Sequence, residues 1–89
     1  KKTIQHILHL GTHYEDTGHF EKAVGCYNKG LQVDNLYETF YGRLMACHQK
    51  LGQRTEAVRV YISLKKTLLT AFGIEPSPKT QAIYTSLLS

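Results

Sequence analysis

At 89 residues the chain makes one domain, and a chain of this size buries only about 60 to 65% of the surface its unfolded form exposes, which leaves little depth for a catalytic cleft. Its 42% hydrophobic and 20% charged content fits a folded soluble domain, and no apolar run approaches the roughly 20 residues of a membrane span. The net charge of +4 is uneven: residues 1–42 hold four Lys and five acids, about −1, whereas 43–89 hold seven Lys or Arg against Glu56 and Glu75, about +5. Cys26 and Cys47 stand 21 residues apart with no second Cys near either, which argues against a metal knuckle or a disulfide framework and for a reducing, cytoplasmic setting. The opening Lys1-Lys2-Thr3-Ile4 is not the start of a signal peptide, and without an initiator Met the chain reads as a piece of something longer.

Ile4, Ile7, Leu8, Gly11 and Tyr14 recur at helical spacing until Gly18, predicting a helix from about Thr3 to Thr17. Phe20, Ala23, Val24, Tyr27 and Leu31 carry a second helix to about Val33. Asn35 followed by Glu38 reads as a capping box, with a third helix over Leu36 to Lys50 that Gly52 ends. A fourth helix opens near Gln53, and its stripe of Ala57, Tyr61, Leu64, Leu68 and Phe72 meets no breaker before Gly73. After the connector 73–77, Ser77 caps a final helix from Pro78 to Leu88 whose strip of Ile83, Tyr84, Leu87 and Leu88 closes the end of the stack.

Two of these stretches are copies. Gly18, Ala23, Val24 and Tyr27 match Gly52, Ala57, Val58 and Tyr61 at a spacing of 34, and Leu10 matches Leu44 in the same register. Ile7, Leu10-Gly11, Tyr14, Gly18, Phe20, Ala23, Tyr27, Gly30-Leu31 and Asp34 also fall on the positions of the tetratricopeptide pattern. The second copy departs from it at Met45, His48 and Arg54. The expected fold is all-α: a tetratricopeptide-like right-handed superhelix of two helical hairpins plus a C-terminal capping helix. It forms a single domain over 1–89, with repeat one at about 4–37 and repeat two at about 38–72.

Leu44-Met45, Gly52-Gln53-Arg54, Glu56-Ala57-Val58, Val60-Tyr61, Leu64-Lys65 and Leu68, followed by Phe72-Gly73-Ile74-Glu75-Pro76-Ser77-Pro78 and Thr80, resemble the bacterial transcriptional activator domain. That family occurs in regulators related to the Streptomyces antibiotic regulatory proteins. The likeness covers roughly residues 8–88 and corresponds to the C-terminal part of that domain. It implies a helical regulatory module, preceded in such proteins by a winged helix-turn-helix domain, and it brings no catalytic residues. The implied partners are proteins: other domains of the same regulator, a second copy, or the transcription machinery. Nucleic acid is contacted through the fused domain rather than this chain, and no membrane is involved.

The first helix of each hairpin would line a groove, placing Gln5, His9, Thr12, Glu15 and Asp16 beside Thr39, Arg43, Ala46, Gln49 and Lys50 as the candidate partner-binding surface. Ion pairs among Glu15, Asp16 and Lys50 explain those charges equally well. His9 and His13 have the i, i+4 spacing of a metal clamp, but neither the adjacent Glu nor the third ligand of the zinc version is present, so they read as a polar face and no cofactor or metal is expected. Arg54, Arg59, Lys65 and Lys66 read as a solvated face, and Ile4 and Leu8 as exposed apolar positions. No phosphate-binding loop, nucleophile elbow or zinc-protease motif occurs, which argues against an enzyme. The expected function is regulatory, coupling a signal or self-association to an attached DNA-binding domain. The alternative is a stand-alone peptide-binding adaptor, which leaves the 73–80 connector unexplained.

Overall fold

A computed structural model of the protein describes residues 2–89, and these are all-helical apart from the connections: α1 (Lys2–Asp16), α2 (Phe20–Val33), α3 (Glu38–Lys50), α4 (Arg54–Phe72) and α5 (Pro78–Leu88). Each helix packs on the next, and α5 also rests on α3. The molecule measures 35 × 34 × 17 Å, and a thickness of 17 Å fits two layers of helices with axes about 8–10 Å apart.

The repeat is visible in individual hydrogen bonds. Gly18 donates to the Glu15 carbonyl and His19 to that of Tyr14, while Gly52 donates to Gln49 and Gln53 to His48, the same pair of bonds 34 residues on. Both are Schellman closures, which need a left-handed residue just past the helix, and Gly18 (φ 79°) and Gly52 (φ 73°) supply it without the steric cost of a Cβ. The two hairpins are therefore built on one turn, used twice.

The first core region gathers Ile4, Ala23, Tyr27, Phe40, Leu44 and Cys47, joining hairpin one to α3. A second holds Met45, Ala57 and Tyr61 under Leu87 of α5, and a third holds Tyr41, Leu64 and Leu68. The rings of Tyr61 and Tyr84 stack with centroids 4.0 Å apart and planes 8° from parallel, fixing α5 on α4. Glycine makes the close approaches possible: a Cβ on Gly11 would lie 2.5 Å from the Tyr27 ring, and one on Gly30 2.6 Å from the Phe40 ring. Gly25, also inside α2, faces open space. Gly25→Ala therefore gains helix propensity with no clash, and urea denaturation is expected to show stabilisation of about 0.5–1 kcal/mol.

Four local expectations are corrected. α3 begins at Glu38 rather than Leu36, because the Asp34 carboxylate accepts the Leu36 N–H at 3.0 Å and bends 34–37 into a turn that leaves the expected capping box unmade. Ile4 is buried in the first core region, and Leu8 is half-buried against it. Leu88, expected in the apolar strip of α5, points outward at 56% exposure, whereas Thr80 is buried at 5%. Phe72 is 60% exposed, because α4, at 19 residues against 14 for α2, runs past the packing around Leu64 and Leu68.

Candidate functional site

A groove of about 530 Å³ opens between α1, α3 and α5, within the range of ordinary ligand sites. Its floor is small and apolar: Leu8 from α1, Gly42 and Ala46 from α3, and Ile83 from α5. Thr12, Thr39, Arg43, Lys79 and Thr80 add polar groups around that floor. Gly42 helps to keep it deep, since a Cβ there would already sit 3.5 Å from the Ile83 Cδ1.

The expected groove residues divide into several environments. Thr12, Thr39 and Arg43 line the groove, as does Ala46. Gln5, His9 and Asp16, with Thr12 again, form a shallower hollow further along α1 that also takes in Leu8 and His13. Gln49 lies at the other end of α3, beside Arg54 and the last residues of α5, and Lys50 is exposed there. Glu15 is turned inward with 13% of its side chain exposed, where its Oε2 accepts from the Tyr27 hydroxyl at 2.5 Å and from the Arg43 Nε at 2.9 Å. Its ionic partner is thus Arg43 rather than Lys50.

This inward carboxylate joins α1, α2 and α3. Burial, and then the bond to Glu15, push the Tyr27 phenol up to about 12. Burial also pushes the Cys47 thiol up to about 12, reinforced by the Glu15 charge, so that Cys47 is no nucleophile near neutral pH. His6, His9 and His13 are exposed, and among the described residues no group of three His, Cys, Asp or Glu side chains is arranged to hold a metal. The basic side chains of α4 are exposed, with Arg59 3.4 Å from Glu56 and Lys65 3.8 Å from Glu75.

The contribution of α5 was not legible in the sequence. Glu38, the first residue of α3, accepts the Ser77 N–H at 2.8 Å, and the Ser77 hydroxyl in turn receives the Thr80 N–H as the cap of α5. One carboxylate thereby places the start of α5, and with it Lys79, Thr80 and Ile83, on the groove. Burial works to raise the Glu38 carboxyl, but the hydroxyls of Thr80 and Ser77 and the Ser77 N–H outweigh it and hold the group below the ordinary carboxylate range. A depressed folded-state value means stability that is present above the unfolded value and lost as pH falls through the folded one. Glu38→Gln is expected to flatten that part of the acid limb in thermal melts taken between neutral and acidic pH. A limb as steep as in the native protein would remove Glu38 as its cause.

No helix among the described residues is long and apolar enough to cross a membrane. The family model for the bacterial transcriptional activator domain matches residues 3–88, nearly the whole chain. No curated protein and no solved structure matches.

Proposed function

The chain belongs to the bacterial transcriptional activator domain family, and from that premise we propose that it is the regulatory protein-interaction module of a transcription activator. In this role it couples a signal or self-association to an attached DNA-binding domain. Family membership carries the assignment to transcription. The groove between α1, α3 and α5 supports the interaction role, because it presents an apolar floor and exposed donors without a metal cluster or an activated nucleophile. Its partners in this reading are other domains of the regulator, a second copy or the transcription machinery, met in the cytoplasm. DNA is contacted by the fused domain.

Coupling follows from how the hairpins join. From α1 to α4 each helix packs mainly on its neighbours in the chain, so a change in one packing angle displaces what lies beyond it. Glu15 spans that joint, holding α2 through Tyr27 and α3 through Arg43.

The native gene is expected to encode a winged helix-turn-helix upstream of Lys1, and deleting this module from the full regulator is expected to change promoter affinity, self-association or transcription. A regulator that keeps all three after the deletion would overturn the proposal.

A further inference from the structure

Resting on the interaction role just proposed, we infer that the groove between α1, α3 and α5 takes an acidic peptide segment of a partner protein, with Asp or Glu beside aliphatic side chains. The charged residues lining it are Glu38, Arg43 and Lys79. Glu38 is turned onto the connector, where its carboxylate accepts the Ser77 N–H and lies beside the Ser77 and Thr80 hydroxyls. Arg43 uses Nε for Glu15 and keeps 41% of its side chain exposed. Lys79 is exposed, and among the described residues no carboxylate comes within ion-pairing distance of it.

Arg43 and Lys79 against Glu38 give the lining a net charge of +1, and Lys79 is its charge without an ionic partner among the described residues. Asp16 lies in the neighbouring hollow along α1, so the acidic side chains of a ligand belong beside Arg43 and Lys79, away from that hollow. Leu8 from α1, Gly42 and Ala46 from α3 and Ile83 from α5 offer aliphatic side chains contact along the floor between them. A uniformly acidic chain would leave that floor uncovered, and a basic one would face Arg43 and Lys79.

The experiment is selection of short random peptides displayed on phage against the 89-residue protein, followed by fluorescence anisotropy with the enriched peptides. Enriched sequences are expected to carry net negative charge with Leu, Ile or Val, and their binding is expected to weaken with added salt. Lys79→Glu should reduce affinity about tenfold or more by putting like charges together. That variant is expected to keep its fold, because an acid in the first turn of α5 suits the helix dipole, and circular dichroism checks this. Ala46→Phe fills the floor and should abolish binding, with circular dichroism confirming the helices.

Neutral or basic enriched peptides, no enrichment, or affinity indifferent to Lys79→Glu would each overturn the inference. If selection fails while deletion of the module still disables the full regulator, the groove chemistry falls and the regulatory role stands. If peptides bind as expected but the deletion is silent, the regulatory role falls instead.

Discussion

Phe40→Ala is expected to cost about 3–5 kcal/mol. Phe40 is fully buried, lies against Tyr27 and Tyr37 at centroid distances of 6.0 and 4.8 Å, and fills the space that Gly30 leaves open on α2. A domain of this size holds roughly 4–13 kcal/mol in total, so the variant sits near the edge of folding. The companion change separates packing from generic damage. Gly30→Ala gains about 1 kcal/mol of helix propensity but puts a methyl 2.6 Å from the ring, an overpacking cost of about 1–3 kcal/mol, so on balance it destabilises. Combined with Phe40→Ala, the methyl enters vacated space. Urea titrations of the four proteins are expected to show the double variant at least about 1 kcal/mol better than the sum of the singles. Simple additivity would mean that Gly30 and Phe40 do not share one packing site.

What the sequence disclosed and what it hid follow from the range of the interactions. Gly18 and Gly52 were legible because a left-handed closure depends on a few adjacent residues, and the 34-residue period states it twice. Tyr27 and Tyr61 were legible as core because their helical phase decides it. Glu38 was misread for the opposite reason: local rules make it a cap for Asn35, yet its carboxylate is taken by Ser77, 39 positions away. α4 is five residues longer than α2, 19 against 14, and that excess breaks the period before α5, so nothing in the repeat arithmetic pointed to Lys79, Thr80 or Ile83 as groove residues. Helical phase also overestimated Phe72 and Leu88, since it gives the angle of a side chain and not whether a neighbour extends far enough to cover it.

Removing the inward carboxylate is expected to produce the second large effect. Glu15→Ala leaves the buried Tyr27 without its carboxylate acceptor and Arg43 without its partner. Breaking a fully buried ion pair costs about 3–5 kcal/mol, but Arg43 is 41% exposed and water replaces part of what it loses, so about 1–3 kcal/mol is expected. Arg43→Ala should cost less, because Glu15 keeps its bond from Tyr27, and the double variant should fall short of the sum by about 0.5 kcal/mol or more. Tyr27→Phe provides an independent readout. A phenol raised from 10.0 to about 12 contributes stability that is complete below 10.0 and is lost as pH rises toward about 12, since only the unfolded chain gives up the proton easily in that interval. Alkaline melts of Tyr27→Phe are expected to lack that loss. If its alkaline limb matches that of the native protein, Tyr27 is not the group that titrates. If the Glu15 and Arg43 variants prove additive, the link between the hairpins is carried by apolar packing alone, and Glu15 is not the joint through which a change in hairpin angle is resisted.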